Sequence, residues 1–339
     1  MKLPFEFGTK LVFRLVFPGL VLATATMPLV DAIPRAFGLS IKPEYLLPCA
    51  AVAFGWLVVV CDMRIYMLFE GRRYWPKAIR DFFVARESRR LLILSAVPSS
   101  PDRRKYLEAG VEIGQYPIND GGVPYAAHPT RLGNIVEGFE TYPLVKYGLD
   151  SVFYWYRLWV VLDKDLREEI DTAQAVVDST VYLSFVFYLS GFLALVYGLG
   201  ESLAQSHWYI THSLLVITLK YLPQPIVAFC VAAVLLAVGR TVYGLSLPAH
   251  AQFGELFKSI FDQYRSKLSF DDVVQYISDV TGDPCLVIRP VRERNQIVWR
   301  YLRWHRARDF QTSRNLTIEQ WTARRAGTAQ TPRFRDTPQ

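Results

Sequence analysis

The chain carries little sulfur and no pattern in it. Four cysteines, Cys49, Cys61, Cys230 and Cys285, are scattered over 339 residues with no C-x-x-C pair. That spacing excludes a zinc ribbon and a disulfide framework. Enzyme signatures are missing too. There is no H-E-x-x-H, no G-x-S-x-G, no Walker A loop and no dinucleotide G-x-G-x-x-G opening a helix. No acid, base and nucleophile stand in a recognisable pattern, so a non-enzyme with no cofactor and no metal is expected. Histidine is sparse at five, and His207 and His212 stand five apart, a poor ligand spacing on a helix. The acids Asp163, Asp165, Glu168, Glu169 and Asp171 read as a solvated first helical turn. Two further absences are local. No lysine follows Arg289, and neither proline nor glycine occurs from Asp163 to Ser190.

What is present is apolar. Hydrophobic residues make up 51% of the chain and aromatics 14%, and the mean hydropathy is +0.16. These values fit a protein that is partly membrane and partly cytosolic. The net charge of +7 sits at one end. From Arg289 onward there are 12 arginines against 4 acids, while the rest of the chain holds 26 basic and 27 acidic residues.

The apolar runs predict four spans. The first is Leu15–Val30, lengthened by Leu11–Phe13 if Arg14 snorkels to the interface. Its rival is a cleaved signal peptide ending at Ala23-Thr24-Ala25. The second covers Tyr45–Cys61 and reaches Phe69 if Asp62 and Arg64 sit at the membrane edge. The third, Ser179–Gly200, is 22 residues without a charge. The fourth runs from Ile226 to Val238, or to Leu245 past Arg240. Eight Lys or Arg lie from Arg64 to Arg90, against Arg35, Lys42 and Lys220 in the short connecting loops. The positive-inside rule then puts both termini and the middle of the chain in the cytosol, here of a bacterial inner membrane. The fold expected is mainly α: four transmembrane helices, a cytosolic α(+β) insert between spans 2 and 3, and a cytosolic helical C-terminal region. The corresponding segments are 1–73, 74–178, 179–246, 247–310 and a basic tail at 311–339.

Inside the insert, Pro76 opens a helix over Lys77 to about Leu94, greasy at Ile79, Phe82, Phe83 and Leu91 and lying on or beneath the membrane. Val111–Ile118 reads as a short strand, and Asp120-Gly-Gly as a turn. Thr130 caps a helix that Pro143 ends. Leu149–Leu162 reads as a buried helix or strand at the heart of the insert. Arg157 within it calls for a carboxylate, Asp150 or Glu140, or else contacts a ligand. Asp163 caps a stalk helix with an apolar stripe at Leu166, Ile170, Ala173 and Val177, facing either a partner helix or its own domain. With no breaker before Gly191, that stalk runs unbroken into the third span. Beyond the fourth span, Phe253–Leu268 is amphipathic and Phe270–Val280 is a helix capped by Ser269 and stopped by Gly282. Cys285–Arg289 reads as a strand, and Val291 to about Asp309 as a basic helix with Ile297, Val298, Tyr301 and Leu302 on one side. The arginines interleaved with Trp299, Tyr301, Trp304, Phe310 and Trp321 suit anionic lipid or nucleic acid.

The elements PTRLGN, YGLDSVFYWYRLW and DKDLREEID, within residues 128–178, resemble a block of uncharacterised four-span bacterial membrane proteins; this resemblance implies no activity. The order span-span-cytosolic domain-span-span is similar to that of bestrophin channels, without their motifs, and to the membrane effectors of anti-phage systems such as Hailong. The second resemblance implies an oligomeric channel controlled by a cytosolic nucleotide or oligonucleotide, and it carries over no residue. Within this expectation, Arg131, Lys146 and Arg157 are the candidate anionic-ligand residues. Thr24, Thr26, Ser184 and Ser190 are the candidate pore-lining residues of a homo-oligomer. The alternative is a non-conducting scaffold whose amphipathic helix and basic tail recruit a cytosolic protein partner. Membrane lipids are a partner in either case.

Overall fold

The computed structural model describes residues 12–36, 42–96, 103–119, 121–206 and 225–304. Among the described residues the fold is helical, with one isolated bridge, Ile118 to Pro124, and no strand. The helices are α1 (Phe17–Ala36), entered through a π-helical turn at Val12–Val16; α2 (Pro43–Val60); α3 (Asp62–Glu70); α4 (Lys77–Ala96); α5 (Arg103–Ile113); α6 (Arg131–Tyr147); α7 (Ser151–Val161); α8 (Lys164–Ser206); α9 (Pro225–Tyr264); α10 (Asp271–Thr281); and α11 (Val291–Trp304). The connecting segment with His207, Trp208, His212 and Lys220, and the tail beyond Trp304, lie outside the described residues.

Among the described residues two helices, α8 and α9, are long and apolar enough to cross a membrane. The pair α2–α3, bent by 61° at Cys61, passes as a third if taken as one broken span. The apolar part of the first helix, Val12–Met27, is shorter. This is a membrane protein by length and composition of its helices.

The chain forms two compact units. The first contains residues 1–139 and 162–260. Its helices meet where side chains vanish. A Cβ on Gly19 would fall 1.9 Å from the Ala51 carbonyl oxygen, and one on Gly55 would fall 2.2 Å from that of Leu15. The α1 and α2 backbones therefore touch, in the way small residues permit in lipid. On α8 and α9, Gly191 faces Leu236, Gly239 faces Phe187 and Tyr188, and Ser184 donates to the Gly239 carbonyl at 3.0 Å. Phe69 of α3 is ringed by Phe185, Tyr188 and Tyr243. The stalk stripe packs on its own unit: Ile170 and Val177 are buried, with α1 and α3 against α8.

The PTRLGN segment is a cap built around one side chain. Asn134, 1% exposed, accepts from the backbone N–H of Ala127 and His128 and donates to the carbonyls of His128 and Thr130, which uses all four of its positions. Thr130 caps α6 as expected, accepting from the Gly133 N–H at 3.0 Å. Gly133 has no room for a side chain, because a Cβ would lie 2.2 Å from the Glu70 carbonyl. The start of α6 is thereby locked to the end of α3.

The second unit contains residues 140–161 and 261–339. Its described core is α10 against α11: Val274, Ile277, Leu286 and Val298 are buried, with Ile297, Tyr301 and Leu302 packed on them. The apolar side predicted for α11 is the side that packs. Gly282, left-handed at φ 65°, stops α10 as expected. Ser269, by contrast, bonds the Asp271 side chain, and α10 carries no side-chain cap bond.

Four local expectations are corrected. Pro143 does not end α6; the helix runs on to Tyr147 and closes at Gly148, φ 71°, through Gly148 N–H to Leu144 O and Leu149 N–H to Pro143 O. Proline costs the helix one hydrogen bond and crowds the carbonyl one turn back, but the turn after it is closed by the Gly148 N–H on the Leu144 carbonyl. Val111–Ile118 is not a strand, since α5 occupies it to Ile113. Cys285–Arg289 is not a strand either: Pro284 opens a single 3-10 turn with Asp283 accepting from the Cys285 N–H. Leu149–Leu162 is a helix of one buried side only. Tyr154 and Leu158 are inside, while Val152, Tyr156 and Val160 are exposed.

Candidate functional site

The most unusual chemistry lies where α8 turns wholly apolar. Asp178, the last charge before the uncharged run, is buried. Arg14, the last charge before the first apolar run, meets it at 2.5 Å from the π-helical turn. Tyr66 of α3 donates to Asp178 Oδ1 at 2.7 Å. On the other side of the Tyr66 hydroxyl, 3.5 Å away, stands Nε2 of His250 in α9, a residue 1% exposed. His250 Nδ1 lies 2.7 Å from the Ser246 carbonyl, which can only accept, so that nitrogen carries a hydrogen. One turn further along α8, Tyr182 donates to Asp62 Oδ1 at 2.8 Å. The first turn, α3, α8 and α9 are thus joined by a single polar knot at the edge of their apolar segments.

An ionisable cluster of this kind inside apolar helices costs free energy unless its members pair, and such clusters mark function more often than packing. The Tyr66 hydroxyl gives its hydrogen to Asp178 and leaves the ring nitrogen of His250 at 3.5 Å. The knot holds no metal set, and among the described residues no group of three or more His, Cys, Asp or Glu could bind an ion. What it does is tie these helices to one another.

Beside it, the first unit holds two more ionic groups. His128 Nε2 and Arg72 both reach Glu137 Oε2, each at 3.2 Å. The His128 hydrogen bond, working against burial and helped by Arg72, holds the Glu137 carboxyl below the ordinary carboxylate range. Glu112 takes Arg90 at 2.8 Å and Arg131 at 2.7 Å, and Tyr116 donates to Glu87 at 3.0 Å. Burial, together with the Glu87 carboxylate, pushes the Tyr116 phenol up.

The residues chosen from the sequence fall elsewhere. Arg131 is held by Glu112 and Gln115 in the first unit. Lys146, in the second, sits on the Tyr142 and Tyr147 rings and 3.4 Å from Asp262. Arg157 stacks on the Phe153 ring at 3.8 Å and bonds the Phe153 carbonyl. Asp150 spends an oxygen capping α7 at the Phe153 N–H, so it is a helix cap rather than the counterion expected. Each of the three cations has different partners. Of the four hydroxyl residues, Thr24 is exposed, Thr26 is buried and bonded to the Leu22 carbonyl, and Ser184 is spent on Gly239. The Ser190 hydroxyl is buried without a partner among the described residues.

Sequence reasoning passed over the knot, though its signal was there. Arg14 and Asp178 carry opposite charge, and each stands immediately before an uncharged run. They therefore enter the apolar layer at the same depth. In the second unit, a cavity of about 240 Å³ is lined by Tyr147, Arg265, Ser269, Phe270, Asp271 and Arg294 among others. Comparison with family models, curated proteins and solved structures gives no match to this chain.

Proposed function

We propose that the protein is an oligomeric, four-span membrane channel or pore opened from the cytosolic side. The carrying observation is α8, which runs unbroken for 43 residues from Lys164, with Asp165 in its first turn, through the clearest apolar run in the chain. A rod of that length, about 65 Å at 1.5 Å per residue, transmits a displacement at its polar end into lipid. The fourth span in this reading is Val12–Ala36, whose π-helical entry carries Arg14 into the knot. The knot is the latch: it ties α8 to the first span, the bent α2–α3 pair and α9, and its release frees α8. A ligand opens the gate only if it binds the released form more tightly.

An anionic ligand is assigned in this reading to the second-unit cavity, where Arg265 and Arg294 stand together on one wall with Asp271, whereas Arg131, Lys146 and Arg157 each have different partners. The test is reconstitution. Purified protein in planar bilayers should pass current, and Asp178→Asn should raise the open fraction several-fold. Bilayers that stay silent with wild-type and Asp178→Asn alike would reject the reading. Mass in detergent supplies the second arm: three or more copies agree with a pore, and a single copy leaves a scaffold.

A further inference from the structure

α4 has two faces that the sequence does not separate. Six residues separate it from the end of α3, beginning with the left-handed Gly71. Trp75 pins that junction, its indole N–H donating to the Leu68 carbonyl at 2.9 Å and its ring edge-on to Phe83. One face of α4 turns inward. Leu91 is buried, Glu87 is buried and bonded to Tyr116, and Phe83 and Val84 are half-buried. The opposite face carries Ile79, Phe82, Arg86, Arg89 and Ile93. Their spacing of three, four, three and four places them in one stripe. All five are exposed, Phe82 by 66% and Ile93 by 64%. The greasy side expected from the sequence is therefore divided: Phe83 and Leu91 pack within the unit, while Ile79 and Phe82 do not.

A stripe of three large apolar side chains with two arginines between them is poorly matched to water and well matched to a lipid surface. The apolar groups enter the acyl boundary, and the guanidinium groups stay with the phosphates. Two observations set the occupant. The helix is continuous with the end of an apolar span through a tryptophan-pinned turn of six residues. The segment from Arg72 to Arg90 carries seven basic residues against two acids, one of which, Glu87, is buried on the inward face. That charge selects an anionic leaflet.

We infer that the Ile79–Phe82–Arg86–Arg89–Ile93 face of α4 is a docking surface for anionic phospholipid, lying in the headgroup layer. This holds whether or not the protein conducts.

The experiment uses the full chain with its four cysteines changed to serine and a nitroxide on Phe82→Cys. The protein is reconstituted in phosphatidylcholine vesicles with and without phosphatidylglycerol. Asp81→Cys, a neighbouring position off the stripe, is the water-facing reference, and Ile93→Cys repeats the measurement if the label at 82 disturbs folding. With phosphatidylglycerol present, the label at 82 should be at least threefold less accessible to an aqueous nickel chelate than the label at 81, and more accessible to oxygen. That protection should fall on removing phosphatidylglycerol, and again with Arg86→Gln and Arg89→Gln together. Equal nickel accessibility at 81 and 82 would overturn the inference. So would protection unchanged by lipid charge and by the arginine substitutions, which would assign the stripe to a protein contact.

Discussion

Asn134 shows how much one side chain can settle. Its four hydrogen bonds close the loop from Ala127 to Thr130 and start α6, and no other side-chain type offers two donors and two acceptors in that shape. Asn134→Ala should cost roughly 4 kcal/mol, at about 1 kcal/mol net for each of the four bonds. Thermal unfolding in detergent measures it, and Asn134→Asp should lie between the two because only the acceptor half survives. Glu137 makes a pH prediction. Its carboxyl is held low in the folded chain, so it binds a proton less readily there than when unfolded. Its stabilisation is therefore complete above the unfolded value of about 4.3 and is lost as pH falls through the lower folded value. Glu137→Gln should be destabilised by about 1 kcal/mol at pH 7, and melting curves of variant and wild type should converge as pH falls through the lowered folded value. The sequence marks the PTRLGN segment and its Thr130 cap, but not why Gly133 is there. That reason lies 63 residues away, at the Glu70 carbonyl, and local pattern cannot reach it.

At the scale of elements, periodicity and breakers locate most helices, and the misses are local ones. Pro143 reads as a stop, yet the helix ends at Gly148. Val111–Ile118 and Cys285–Arg289 looked like strands because short apolar runs fit strand and helix equally. α7 looked buried because composition does not say which side faces inward. α4, read from helix signals alone, runs within two residues of its expected end. The packing of α1 on α2 rests on backbone contact, and it makes a prediction of its own. Gly55→Val puts a branched side chain where a Cβ already lies 2.2 Å from the Leu15 carbonyl. Backbone cannot yield as a flexible side chain does, so the hairpin should open, at a cost of several kcal/mol by comparison with other overpacked sites. Faster proteolysis of the variant in detergent, set beside unchanged behaviour of Gly110→Ala, whose Cβ would meet nothing within 4 Å, gives the measurement.

For the whole molecule, the sequence supplies an arrangement that the described helices only partly carry: two or three are long enough to span, and the four-span reading adds the first. That reading has a direct consequence for sidedness. A reporter fused after Gly38 or within 207–222 should be active only outside the cytosol, and one fused at the C-terminus only inside it. Paired phosphatase and fluorescent-protein fusions decide this, and a C-terminal fusion active outside would remove the cytosolic gate altogether.

The pairing of Arg14 with Asp178 also bears on how the protein is made. The two residues are separated by 163 others, yet each needs its opposite where lipid begins. A ribosome that has delivered the first hairpin has delivered a cation whose anion is still unwritten. Until α8 emerges, the early spans hold an unanswered charge at their rim, and a chain cut short before residue 178 keeps it.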